Sequence, residues 1–236
     1  MDATGSMSHL LQKAKNAVCT MFERIATILK GHGLSSNSFE IQFVVYRNYN
    51  APEDILLQVS PWESKPDKLR SFMETVKPCY GIDSEAVEVG LAHVNRERAK
   101  DGVSQVILIG DAPANAKNDV IAWRQSSYRG TESSGAEYWR KTKLFSSPTY
   151  YEEELTILKQ YNIPVHAFYV ERQAKENFEA IARISGGRCA ELKINSDEGS
   201  DQLTNVVSEE VLRNAGGSKG SALVDAYRAK FSKAHV

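Results

Sequence analysis

The 236-residue chain predicts an α/β domain of three layers, a mostly parallel central sheet with helices on both faces. Two observations carry this. Short apolar, β-rich runs alternate with longer stretches of helical periodicity, the pattern of strands joined by crossover helices. Within that alternation, Val106-Ile107-Leu108-Ile109 is apolar without a break and ends at Gly110-Asp111, as expected of a strand buried on both faces.

The elements follow in order. Leu10, Leu11, Ala14, Val18, Met21, Phe22, Ile25, Ile28 and Leu29 recur at helical spacing, so a helix is expected from Met7 to Leu34, with Gly31 and Gly33 as its stop. Phe39 to Tyr46 reads as a strand, Asn48 to Pro52 as a turn, and Ile55 to Val59 as a second strand. Pro66 to Val76 and Ser84 to Ala99 predict helices, the latter with Ala86, Val87, Gly90, Leu91 and Val94 inward. Residues 112–149 break the rhythm, with Trp123, Tyr128, Tyr138, Trp139 and Phe145 among polar neighbours. A connection that long is a functional excursion or carries short helices of its own. Regularity returns with helix 150–160, strand Val165 to Val170, helix 174–184 ending at Gly186-Gly187, strand Cys189 to Ile194, and helix 199–215. His166 lies inside a buried strand pattern and reads as a core residue. The expected division is a domain over 1–216, then a hinge and C-terminal helix over 217–236.

Composition narrows the function. Lys and Arg number 29 against 30 Asp and Glu, so the basic surface that nucleic acid or an anionic membrane requires is missing. No run reaches the roughly 18 apolar residues of a membrane span. Three cysteines, Cys19, Cys79 and Cys189, lack metal-type spacing and fit free thiols in a reducing, cytoplasmic compartment. The first residues are polar and do not form a secretory signal.

In open α/β sheets ligands bind beyond the carboxyl ends of the strands, which directs attention to the loops around Asp2, Arg47 and Asp111. Asp2-Ala3-Thr4-Gly5-Ser6 sets a carboxylate and two hydroxyls at alternate positions in a glycine-bearing turn. Such hard oxygen donors suit Mg²⁺ or Mn²⁺. Read alone, the same residues would serve as helix caps. Asp111 closes the buried strand, and Asp83 and Glu85 open the helix from Ser84. These last two could equally complement a helix dipole.

Taken in order, the motifs resemble the von Willebrand factor type A (vWA) family, a Rossmann-like fold, in the intracellular form found in protist and bacterial proteins and alongside alpha-type kinases. Asp2-Ala3-Thr4-Gly5-Ser6-Met7 resembles the family's Asp-x-Ser/Thr-x-Ser motif, Phe43 to Tyr49 its second strand, and Ile107 to Pro113 its fourth-strand signature. The similarity continues through Ile163 to Tyr169 and Ile184 to Gly187. It implies a metal-ion-dependent adhesion site holding Mg²⁺, or Mn²⁺ or Ca²⁺. Thr4 and Ser6 would ligate directly, and Asp2 and Asp111 largely through water. The remaining ligand would come from the loop Cys79 to Glu85, with Asp83 favoured and Glu85 the alternate, because the family's glycine pair is broken here by Tyr80-Gly81. A protein partner's Asp or Glu would complete the shell, with Arg47, Tyr49 and Trp139 as expected partner contacts. Arg47 could instead form a salt bridge beneath the site, and the aromatics of the excursion could simply anchor it.

The family's metal Asp follows a central strand, and here Met1 directly precedes that Asp. The first central strand is therefore expected to be absent from this sequence, its slot filled by upstream residues or by another segment. The expected function is a non-enzymatic, metal-dependent protein-binding module, within a larger complex. A metal-free structural component is the alternative. A Mg²⁺-dependent phosphohydrolase is the third option, disfavoured because Thr4 stands where an aspartyl-phosphate phosphatase needs a second Asp.

Overall fold

The computed structural model describes residues 1–127, 134–193 and 199–232; Tyr128 and the expected strand end at Ile194 lie outside them. The chain is α/β, as the alternation predicts, and divides into two compact units. The first comprises Met1–Ser8, Val44–Val59 and Lys77–Glu191, and the second His9–Phe43, Ser60–Val76 and Leu192–Val236.

The first unit holds the sheet. Strands β3 (Val106–Gly110), β4 (Val165–Tyr169) and β5 (Cys189–Glu191) are parallel in the order β3-β4-β5, with Ile107 opposite His166 and Ala167 opposite Cys189. Strands β1 (Val44–Tyr46) and β2 (Leu57–Val59) form an antiparallel pair, with Val45 opposite Gln58. A one-turn helix, Glu53–Leu56, occupies the start of the expected second strand, and the first strand begins five residues later than its apolar pattern suggests. Pro52, whose ring fixes φ, starts that turn, and Ile55 and Leu56 N–H groups both bond back to its carbonyl.

Met1–Ala3 connects the two strand groups. Asp2 N–H donates to Ile109 O of β3 at 2.9 Å, and Ala3 N–H to Tyr46 O of β1 at 3.0 Å. Tyr46 N–H in turn donates to Met1 O at 3.2 Å, and Asp2 bridges Tyr46 in parallel. These three residues therefore lie extended between β1 and β3, in the slot expected to be filled by residues upstream of Met1 or by another segment.

Helices Val87–Arg98, Tyr151–Gln160 and Lys175–Ser185 pack with this sheet around Leu108, Leu155, Leu158, Val165, Ala167, Phe178 and Ile181. His166 is buried in β4, as expected, with its Nδ1 accepting from Arg188 N–H at 3.3 Å. The excursion after β3 contains two helices, Lys117–Gln125 and Ala136–Lys141. Trp139 and Phe145, with Trp123 and Tyr138 packed against them, form a core with Tyr49, Leu56, Val89 and Val120, so these aromatics anchor the excursion rather than form a surface patch. Trp139 is 1% exposed, edge-on to Tyr49 at 5.2 Å and to Tyr138 at 4.9 Å.

The second unit contains the long helix Ser8–Gly31 apart from its first residue, and helices Pro66–Thr75, Gly199–Ala215 and Gly220–Phe231. The C-terminal helix turns back on its predecessor. Tyr227 Oη donates to Asn205 Oδ1 at 2.8 Å, and Arg228 pairs with Glu209. The connection is tight, since a Cβ at Gly220 would stand 2.1 Å from Arg213 O. Helices on either side of the expected 216/217 boundary therefore belong to one unit. The three cysteines are unpaired and half-buried. No helix among the described residues is long and apolar enough to cross a membrane.

Because Trp139 fills a core, Trp139→Ala should destabilise the fold by about 3–5 kcal/mol, the usual range for emptying a buried aromatic site. Urea unfolding followed by far-UV circular dichroism measures this, and an unchanged midpoint would return Trp139 to the surface.

Candidate functional site

The site grows from the carboxyl ends of the central strands. After Asp2 the chain must turn from strand into the long helix, and a one-turn 3₁₀ segment, Gly5–Met7, makes that turn. Asp2 holds it, accepting Thr4 N–H on Oδ1 at 2.7 Å. The Thr4 and Ser6 hydroxyls lie 3.1 Å apart in mutual hydrogen bond. Thr4 is buried, whereas Gly5 and Ser6 are exposed, so the hydroxyl pair reaches from the interior to solvent.

Asp111 follows β3 directly and is 6% exposed. Its carbonyl accepts from Gln173 Nε2 at 3.2 Å. Its charge acts on the neighbouring Asp2 carboxyl. Glu85, 3% exposed, is fixed by its backbone, with N–H to Pro113 O at 2.8 Å and its carbonyl accepting Asn115 N–H at 3.0 Å. The structure thus brings together Asp2, Thr4, Ser6, Asp111 and Glu85. The favoured fifth residue, Asp83, is exposed with φ 58°, and the alternate Glu85 takes the interior place. The change of register comes from the pairing of Glu85 with Ala114, which turns the Glu85 side chain inward and leaves Asp83 on the turn before it.

Burial and mutual repulsion dominate the electrostatics. Desolvation first, then the neighbouring Asp2 and Asp111 charges, push the Glu85 carboxyl up to about 10. Asp2 is raised for the same reasons, burial foremost and Asp111 next among the charges, partly offset by the Thr4 N–H bond. Asp2 Oδ2 and Glu85 Oε2 are buried without a hydrogen-bond partner among the described residues. Carboxylate oxygens left this way require either protons or a cation.

The expected partner contacts are not at the surface. Arg47, 1% exposed, donates from Nη1 to Ile55 O at 2.5 Å and from Nη2 to Lys77 O at 2.7 Å, holding the two loops together. Neither contact is a salt bridge to the site. Tyr49 is 2% exposed and packs on Trp139. A partner cannot reach any of the three because they fill the interior.

Four residues escaped the sequence analysis. Tyr46 Oη is buried among the carboxylates, and Gly110 leaves room for it, since a Cβ there would stand 3.0 Å from that oxygen. Burial, followed by the charges of Asp2, Glu85 and Asp111, raises the phenol well above its usual range and keeps it protonated. Asn48 donates from Nδ2 to Ile82 O and Ser84 O while its Oδ1 accepts Tyr49 N–H and Asn115 Nδ2. Asn115 also donates to Glu88 Oε1 at 3.1 Å and accepts Ser84 Oγ at 2.8 Å. This network fixes the loops after β1 and β3 against the one that carries Glu85. The turn-rich Asn48 to Pro52 segment was the available signal for Asn48. The Tyr46-Arg47-Asn48-Tyr49 strand ending was the available signal for Tyr46, and nothing in the local pattern marked Glu88 or Asn115.

Among the described residues no group of three His, Cys, Asp or Glu side chains is arranged to hold a metal by itself. Any cation here would depend on the Thr4 and Ser6 hydroxyls as well as carboxylates. That mixed oxygen set fits a hard divalent ion such as Mg²⁺ or Mn²⁺.

The raised carboxyls set the pH dependence. Glu88 is pushed up to about 8 by burial, against opposing bonds from Asn115 and Tyr49. Below its ordinary range of about 4.5 the folded and unfolded forms are both neutral and its contribution is intact. Between there and about 8 only the unfolded chain ionises, so stability falls as pH rises. Asp2 and Glu85 act in the same direction. Without added cation, the melting temperature should fall from pH 5 to pH 8, and Glu88→Gln should flatten the slope. A melting temperature rising over that interval would contradict these assignments.

No protein-family model matches the chain, and no curated protein matches it. Among solved structures, the chain is similar to the vWF domain of the type V pili tip protein Mfa5 from Porphyromonas gingivalis. That match has a TM-score of 0.50 at 12% identity, over 89% of this chain and 93% of that one. An uncharacterized membrane spanning protein from Vibrio fischeri aligns with a TM-score of 0.30 at 11% identity, over 89% of this chain and 96% of that one. The first likeness joins the sheet order and the strand-end site in one conclusion: the chain has a vWA-like α/β fold.

Proposed function

We propose that this chain is a protein-interaction module that captures an acidic side chain of its partner through a bound divalent cation, without catalysing a reaction. The observation that carries the proposal is the pair of buried, unpartnered oxygens Asp2 Oδ2 and Glu85 Oε2, set with Asp111 beside the Thr4–Ser6 hydroxyl pair. Asp2, Asp111 and Glu85 would hold Mg²⁺ or Mn²⁺ from the interior, and Thr4 and Ser6 from the solvent side. When bound, the ion offers a Lewis-acidic position to an incoming carboxylate. Exposed Ser6 and Gly5 give such a ligand its path. The balanced charge favours a protein partner over nucleic acid, and free cysteines favour a reducing, cytoplasmic setting. The vWF-domain neighbour, part of a pilus tip protein, is consistent with a module of a larger assembly.

One observation favours a second reading. Burial and neighbouring charge raise the Asp2 and Glu85 carboxyls, and a protonated cluster would need no metal. The site would then be structural. Thr4 at the position of a phosphatase's second Asp argues against hydrolysis in either case.

A thermal shift separates the two readings. A ligand that binds only the folded state at a hundred times its dissociation constant adds about 2.7 kcal/mol. Millimolar Mg²⁺ or Mn²⁺ should therefore raise the melting temperature at pH 7.5, and Asp111→Ala should abolish the rise. A melting curve indifferent to cation and chelator would establish the protonated, structural cluster instead.

A further inference from the structure

The loop from Lys77 to Ser84 lies against the Asp2–Ser6 turn. Cys79 N–H donates to Ala3 O and Gly5 N–H to Tyr80 O, each at 3.2 Å, and Gly81 N–H donates to Asn50 Oδ1 at 3.3 Å. Between these anchors the backbone is left-handed at two successive residues, Tyr80 with φ 63° and Gly81 with φ 95°. Gly81 has an evident reason to be glycine, because a Cβ there would come within 2.6 Å of Thr4 Cβ. Tyr80 has no corresponding reason to be tyrosine. A bulky residue at positive φ meets a steric penalty that glycine escapes.

Packing does not offset that penalty. The Tyr80 side chain makes no ring contact with the described residues, its interaction being an electrostatic one with the Arg47 guanidinium, and the residue is 47% exposed. It sits at the solvent mouth of the site, its carbonyl bonded to exposed Gly5, with exposed Lys77 three residues before it. Strain that the fold does not use is characteristic of recognition sites. An exposed tyrosine is a suitable contact there, offering a large amphipathic face with few rotors to order.

We infer that Tyr80 is the partner-recognition residue of this site, and that the partner presents an Asp or Glu with an aromatic or large aliphatic side chain within two residues of it. This rests on the cation-mediated capture proposed above. The carboxylate would meet the ion at the hydroxyl pair, the neighbouring apolar group would cover the Tyr80 ring, and Lys77 would favour the acidic segment as a whole.

The test uses the full chain and a displayed library of random heptapeptides with Asp fixed at the centre, beside a library with Ala at that position. Selection is run in Mg²⁺ and in EDTA. The best Asp-centred peptide is then synthesised and titrated against wild type and Tyr80→Gly. The expected result is Mg²⁺-dependent enrichment from the Asp library only, with aromatic or large aliphatic residues near the Asp. Tyr80→Gly should weaken the synthetic peptide about 10- to 30-fold, the range of a good interface anchor. Its melting temperature should stay the same or rise, since the relieved strain offsets glycine's greater freedom when unfolded. Asp- and Mg²⁺-dependent selection without apolar neighbours, or undiminished by Tyr80→Gly, would overturn the role of Tyr80 and leave the metal reading standing. A lower melting temperature for Tyr80→Gly would likewise show that the residue serves the fold. No Asp- or Mg²⁺-dependent selection would overturn both.

Discussion

Three carboxyl groups, Asp2, Asp111 and Glu85, are gathered into the interior at the strand ends, with no side-chain cation among the described residues in a salt bridge to any of them. Like charges out of water repel and lack solvation, so the arrangement persists only if protons or a metal ion neutralise it. Much of the first unit serves to hold that crowd in place. Backbone pairing to β1 and β3 fixes Asp2, the end of β3 fixes Asp111, and the Glu85–Pro113 and Asn115–Glu85 bonds fix Glu85. Arg47, buried and in electrostatic interaction with Asp2, gives its Nη1 and Nη2 bonds to two backbone carbonyls and so clamps loops rather than forming a salt bridge.

The surrounding polar groups form a second tier with the same purpose. Asn48 and Asn115 lock the loops after β1 and β3 onto the segment that bears Glu85, through bonds to backbone as well as to each other. Satisfied polar networks of this kind rigidify a site in a way that apolar packing alone does not, because each bond has a direction. On the solvent side the restraint stops at Thr4 and Ser6. The site is therefore rigid behind and open in front, an arrangement suited to holding a small ion while a ligand approaches from outside.

The sequence showed the fold clearly because its period does not depend on distant contacts. The unbroken Val106 to Ile109 run and the helical row from Leu10 to Leu29 each announce their element locally. Elements set by tertiary context were misread. The Phe39 to Phe43 stretch is apolar enough for strand but has only one isolated bridge, between Ile41 and Glu63. Site legibility divided in the same way. Asp2, Thr4, Ser6 and Asp111 stand at fixed offsets from strand ends and could be named. Choosing Glu85 over Asp83 depended on a pairing with Ala114, far away in the chain, that no local pattern encodes. Trp139 and Arg47 were left between partner contact and internal anchoring, and Tyr49 was taken as a partner contact, because aromatic and cationic residues in an irregular segment look the same whether they greet a partner or anchor the loop. Only burial distinguishes the two.

The central claim is that a divalent cation neutralises the buried carboxyls, and calorimetric titration with Mn²⁺ in two buffers of different protonation enthalpy tests it most directly. Because burial raises Asp2 and Glu85, an ion taking their place as counter-charge must expel protons. The account predicts saturable binding near pH 7 with at least about one proton released per ion, lost in Asp111→Ala. Absence of binding, or binding with the same heat in both buffers, would contradict it.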